Sequence, residues 1–131
     1  MTQSTGRLQK REILDLISFE SAPSDEDKSQ VLYRQGKAQL AAQQYDEALN
    51  SFRMVLAQFP NQSIVNQTHL SLIAALYQSS QLVEITRFYE AHHEIWDFIQ
   101  KNYDVFKIVV KAFESTDQPN DALFVVEGAL R

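Results

Sequence analysis

Cysteine is absent from the 131-residue chain, which excludes a disulfide scaffold, thiol catalysis and thiolate metal sites. Glycine and proline number three each, too few for a turn-rich β protein. The glycines, Gly6, Gly36 and Gly128, stand too far apart to build a phosphate-cradling loop. No stretch approaches the ~18 consecutive apolar residues of a membrane span. The polar start, MTQSTGRLQKREILDL, lacks the apolar run of a signal peptide. These two absences predict a cytoplasmic protein without membrane insertion. Basic residues are in the minority: 12 Lys and Arg against 17 Asp and Glu give a net charge of −5. No basic cluster interrupts that balance, so nucleic acid is a poor partner.

What is present is apolar and periodic. Hydrophobic residues make up 44% of the chain, enough for a single folded domain of this length to bury roughly two-thirds of its unfolded surface. Leu8, Ile13, Leu16 and Ile17 form one stripe of a short amphipathic helix at 8–19. Ser21-Ala-Pro-Ser24 then breaks the pattern as a linker. Ser24, followed by Asp25, Glu26 and Asp27, is a helix start: a hydroxyl to cap an orphan N–H and acids at the positive end of the helix dipole. Further helices are predicted to about Ala42, from Tyr45 to Phe59-Pro60, and over 63–79, 82–97 and 103–115; Asp117-Gln-Pro119-Asn-Asp121 is a tight connection, and a last helix runs from there to the end. The expected organisation is an N-terminal helix and linker at 1–24, then a domain at 25–131 made of helix pairs at 29–62, 63–98 and 103–131.

The first pair reads LYRQGKAQLAAQQYDEALNSFRMVLAQFP. Gly36 and Ala48 are small where two helices need to approach, and Leu32, Tyr45 and Phe52 are large on either side. Pro60 closes the unit. This pattern resembles the tetratricopeptide (TPR) repeat, with Gln35 and Gln39 departing from it. The second pair matches through Leu70, Ile73, Ala74 and Tyr77, with Ala74 in place of the glycine, then Leu82, Ile85 and Tyr89 if its connection is one residue shorter. The third matches through Phe106, Val109, Val110 and Phe113, then Ala122, Val126 and Ala129. The resemblance covers about 29–130. It implies an all-α, right-handed superhelical array of about three antiparallel helix pairs with an extra N-terminal helix.

The same resemblance implies that the first helix of each pair lines a concave groove for a peptide or a partner helix. The groove candidates are Tyr33, Arg34 and Lys37 from the first pair, Ser71, Leu72 and Ala75 from the second, and Lys107, Ile108 and Lys111 from the third. The four basic residues suit carboxylates of a partner; Leu72 and Ile108 suit an apolar floor. The function expected is a non-catalytic protein-interaction module. A dedicated chaperone for a secreted or assembling subunit is the alternative, because bacterial secretion chaperones are similar in architecture. A self-associating scaffold is another. The N-terminal helix, or the apolar C-terminal helix ending at Gly128-Ala-Leu-Arg131, would carry homodimerisation.

One cluster bears on an enzyme or metal reading. Glu90 and His93, or His93 and Asp97, fall on one face of a continuous helix and could join His69 around a metal. A polar helix surface explains them as well, and Trp96 reads as a packing residue. No metal, cofactor or catalytic residue is expected.

Overall fold

In the structure, a computed structural model, residues 23–116 and 119–129 are described. The amphipathic segment expected as an N-terminal helix lies outside them. Among the described residues every regular element is helical.

The first helix, α1 (Asp25–Ala41), starts as the sequence dictates. The Asp27 amide donates to Ser24 Oγ at 3.1 Å, and the Ser24 amide donates to Asp27 Oδ2 at 3.3 Å, a reciprocal capping box. Glu26 reaches sideways: Ser63 Oγ donates to its Oε2 at 2.6 Å and Gln30 Nε2 at 2.9 Å. These hydrogen bonds, the Ser63 hydroxyl foremost, hold its carboxyl below the ordinary range and tie the start of α1 to the loop ahead of α3.

Helix α2 (Tyr45–Gln58) packs along α1. It is followed by α3 (Val65–Gln78) and α4 (Leu82–Ala91). A 3₁₀ turn (His93–Ile95) and a short α5 (Trp96–Gln100) lead to α6 (Tyr103–Ser115) and α7 (Pro119–Ala129). Three antiparallel pairs result: α1–α2, α3–α4 and α6–α7. They stack so that α2 packs on α3, α4 on α6 and α3 on α6. Phe52, Ile73, Leu76, Ile85, Tyr89, Ile99, Val109 and Phe113 form one continuous core, the all-α array of helix pairs that the periodicity predicts.

Two expectations are corrected. The helix predicted over 82–97 breaks at His92, whose φ of −124° and ψ of 61° leave the helical region. Side chains take the carbonyls that would continue it. Trp96 Nε1 donates to the Tyr89 carbonyl at 2.6 Å, and His92 Nδ1 lies 2.8 Å from the Phe88 carbonyl. The Trp96 ring folds back to stack on Tyr89, with centroids 4.9 Å apart and planes within 5°. Second, the connection within the second pair is not shorter. The second helices open at Tyr45, Leu82 and Pro119, a spacing of 37 residues each time, against about 34 for the TPR period. In that register the place of Gly36 falls on Ile73, which is fully buried, and not on Ala74, which is half-buried. The backbones of α1 and α2 stay close along most of their length, and those of α3 and the shorter α4 do so over much less.

Candidate partner-binding surfaces

The helix register brings some of the expected groove residues together and removes others. On α6, Lys107 and Lys111 are exposed and one turn apart, with Ile108 half-buried between them. With Asp104 and with Tyr77 of α3 they line a groove of about 330 Å³. Lys107 Nζ lies 3.8 Å from Asp104 Oδ1 and 4.8 Å from the centre of the Tyr103 ring. Both contacts are solvent-exposed and individually weak. Arg34 and Lys37 are exposed on α1. Lys37 and Lys111 hold the same position of the first and third pairs, two 37-residue spacings apart.

Tyr33 and Ser71 meet each other: Tyr33 Oη lies 3.0 Å from Ser71 Oγ. Ser71 is buried by that contact, and the Tyr33 ring leans on Phe52 at 5.9 Å between centroids. Leu72 and Ala75 are buried and do not floor an open first-helix groove. The reason is position. Helix α3 is central, packed against α2, α4 and α6, so nearly its whole circumference is covered.

Leu72 instead faces the opposite side of the array. With Leu76 it forms the floor of a cleft of about 450 Å³ between α2 and α4, whose walls carry Leu56, Ala57 and Phe88. Arg53, Arg87, Glu84 and His92 stand at its edge, and Arg87 Nη1 pairs with Glu84 Oε2 at 3.2 Å. Sequence reasoning passed over this cleft. Its residues come from three helices and share a face only once α3 is seated between α2 and α4. Tyr77 was legible only as a core position, and it borders the lysine groove.

Each histidine packs against an aromatic ring. His93 stacks on Trp96, with ring centroids 4.0 Å apart. His69 is buried and pairs with His92, centroids 5.3 Å apart, and with Phe88 at 5.4 Å. Its Nδ1 has no hydrogen-bond partner. Burial first, and His92 next, push its pKa down to about 4, with Glu94 opposing. Among the described residues no group of three His, Asp or Glu side chains converges as metal ligands.

A stacked array of helix pairs with a basic groove on one side and an apolar cleft on the other defines a TPR-like helical-repeat protein. Residues 25–105 match the family YfiO, described as an outer membrane lipoprotein; the match spans more than half of the chain, which belongs to that family. No curated protein and no solved structure matches the chain. The family overturns the expected cytoplasmic location: an outer membrane lipoprotein family points to the periplasm or a membrane surface. No helix among the described residues is long and apolar enough to cross a membrane.

Proposed function

We propose that this chain is a non-catalytic protein-interaction module of an outer membrane lipoprotein family, holding an acidic, partly apolar segment of a partner protein against α6. The observation that carries this reading is the groove of Lys107, Ile108, Lys111 and Tyr77. Two ammonium groups one turn apart flank an aliphatic side chain, opposite an aromatic ring. Carboxylates spaced along a peptide can meet the lysines while an apolar side chain between them rests on Ile108 and Tyr77. Asp104 already sits beside Lys107, so a partner carboxylate replaces an intramolecular one and gains most where it also buries apolar surface. Arg34 and Lys37 extend the same chemistry onto α1. In a chain of net charge −5, this local reversal of sign steers an acidic segment to one face.

The test is fluorescence anisotropy with a labelled peptide of about ten residues carrying alternating Glu and Leu. Affinity should fall as salt rises, and Lys107→Glu with Lys111→Glu should weaken it by roughly tenfold or more, with the far-UV spectrum unchanged. Equal affinity for wild type and the double variant would move the site away from α6.

A further inference from the structure

Helices α2 and α4 both pack on α3, yet their backbones share almost no contact with each other. Helix α4 keeps its backbone close to α6 over more of its length than to α3, its own pair mate. The apolar cleft of about 450 Å³ occupies the space between α2 and α4. The repeat register shows that the opening belongs to this interval. Leu76 and Phe88 face it. At the equivalent positions, 37 residues on, stand Phe113, 1% exposed, and Val125, 7% exposed. The smaller Val125 is thus covered where the larger Phe88 is left half in water.

The edge of the cleft carries the sign opposite to that of the chain. Arg53 on α2 and Arg87 on α4 are exposed there, in a chain of net charge −5. Arg53 has no carboxylate partner among the described residues, and Arg87 pairs with Glu84, three positions back on its own helix. An exposed pair of that kind is weak, so an incoming anion can take its place. A guanidinium meets a carboxylate through two parallel N–H donors. The wall is preorganised: the Phe88 and His92 rings stack with centroids 4.2 Å apart, and His92 Nδ1 is tied to the Phe88 carbonyl. A ligand therefore has little to order on binding. From Glu84 to His92 the wall runs for about 12 Å at the rise of a helix. An extended alkyl chain of about ten carbons is as long.

We infer that this cleft binds a single-chain amphiphile with a carboxylate head, a fatty acid of about ten carbons. The chain lies on Leu72, Leu76 and Phe88, and the arginines of the edge hold the head. An apolar floor with a few polar groups at the margin is the usual build of a small-molecule site, and the volume falls in that range. The floor also argues for an alkyl chain over a peptide. A peptide brings backbone amides that need partners once buried, and Leu72, Leu76, Leu56 and Phe88 offer no side-chain donor or acceptor. A family of the outer membrane sets the chain near amphiphiles of this class. The cleft shares no residue with the lysine groove.

The probe is sodium decanoate, titrated into the whole 131-residue protein by isothermal calorimetry. Saturable one-to-one binding is expected below ~1 mM. Decyl maltoside, with the same chain and a neutral head, should bind roughly tenfold more weakly or worse. Arg53→Gln with Arg87→Gln should weaken decanoate by roughly tenfold. Ala57→Trp, which puts a large ring into the cleft from its wall, should abolish binding. All three positions are exposed, so the circular dichroism spectrum should stay unchanged; one variant serves if the other fails to fold. The Lys107→Glu/Lys111→Glu pair should leave decanoate binding intact, which separates the cleft from the lysine groove. Absence of saturation, equal affinity for the two amphiphiles, or full binding by Ala57→Trp overturns the proposal. Displacement of decanoate by the Glu and Leu peptide also overturns it, by giving the cleft to a partner protein.

Discussion

At Gly36 a Cβ atom would stand 2.5 Å from Cε1 and 2.8 Å from Cδ1 of Phe52. Phe52 is fully buried and has nowhere to move. Alanine would gain about 1 kcal/mol of helix propensity over glycine, but overpacking costs about 1–3 kcal/mol. Gly36→Ala should therefore lower stability by up to about 2 kcal/mol in denaturant unfolding, and Phe52→Leu in the same chain should recover part of that loss. His69 makes a second residue-scale case. Its folded pKa lies near 4, below the unfolded value of about 6.5. Between those values the unfolded chain binds a proton that the folded chain does not, so stability falls as pH drops through this window. The slope approaches about 1.4 kcal/mol per pH unit. His69→Leu removes both this proton and the unpartnered Nδ1. Its melting temperature should rise relative to wild type as the buffer is taken from pH 7 to pH 4.5; a constant difference would contradict a buried, neutral His69.

At the scale of elements, the turns between paired helices were the least legible part of the sequence. In the first two pairs neither turn contains glycine, yet both close in the same way. Gln43 and Ser80 adopt φ of 63° and 62°. The Gln44 amide reaches back to the Gln39 carbonyl at 2.8 Å, as Gln81 does to Leu76 at 2.8 Å, the Schellman arrangement that usually takes glycine. A side chain in the left-handed region carries a steric cost that glycine escapes. Gln43→Gly should thus stabilise the protein by about 0.5–1 kcal/mol, and Ser80→Gly should add to it, because the turns are separate. Thermal unfolding of the single and double variants checks this, and a loss of stability on Gln43→Gly would mean that the turn relaxes in solution. The break of α4 at His92 was illegible for a related reason. Local periodicity continues through 82–97; the stop comes from Trp96 turning back to the Tyr89 carbonyl and ring.

For the whole molecule, the 37-residue register explains why only part of the expected groove exists. One helix lies between two others, and its candidates go inside: Leu72 and Ala75 are buried and Ser71 is spent on Tyr33. The outer helices keep their basic candidates in water, which leaves Arg34 and Lys37 at one end and Lys107 and Lys111, with the half-buried Ile108, towards the other. Salt sensitivity and the double lysine reversal test that surface as a unit. The Arg53, Arg87 and Ala57 variants test the cleft on the opposite side, and the two responses should be independent.

The sequence by itself determined most of the helices, the cap at Ser24, the small residues Gly36 and Ala48 of the first pair, and the repeated pairing, because these depend on spacing along one or two helices. Ser24, Gly36, Phe52 and Pro60 carry that information locally. Tertiary structure decided which faces stay open. Exposure depends on what packs against a helix: Leu49 and Leu123 share a position in the repeat, and α3 covers the one while no described helix covers the other.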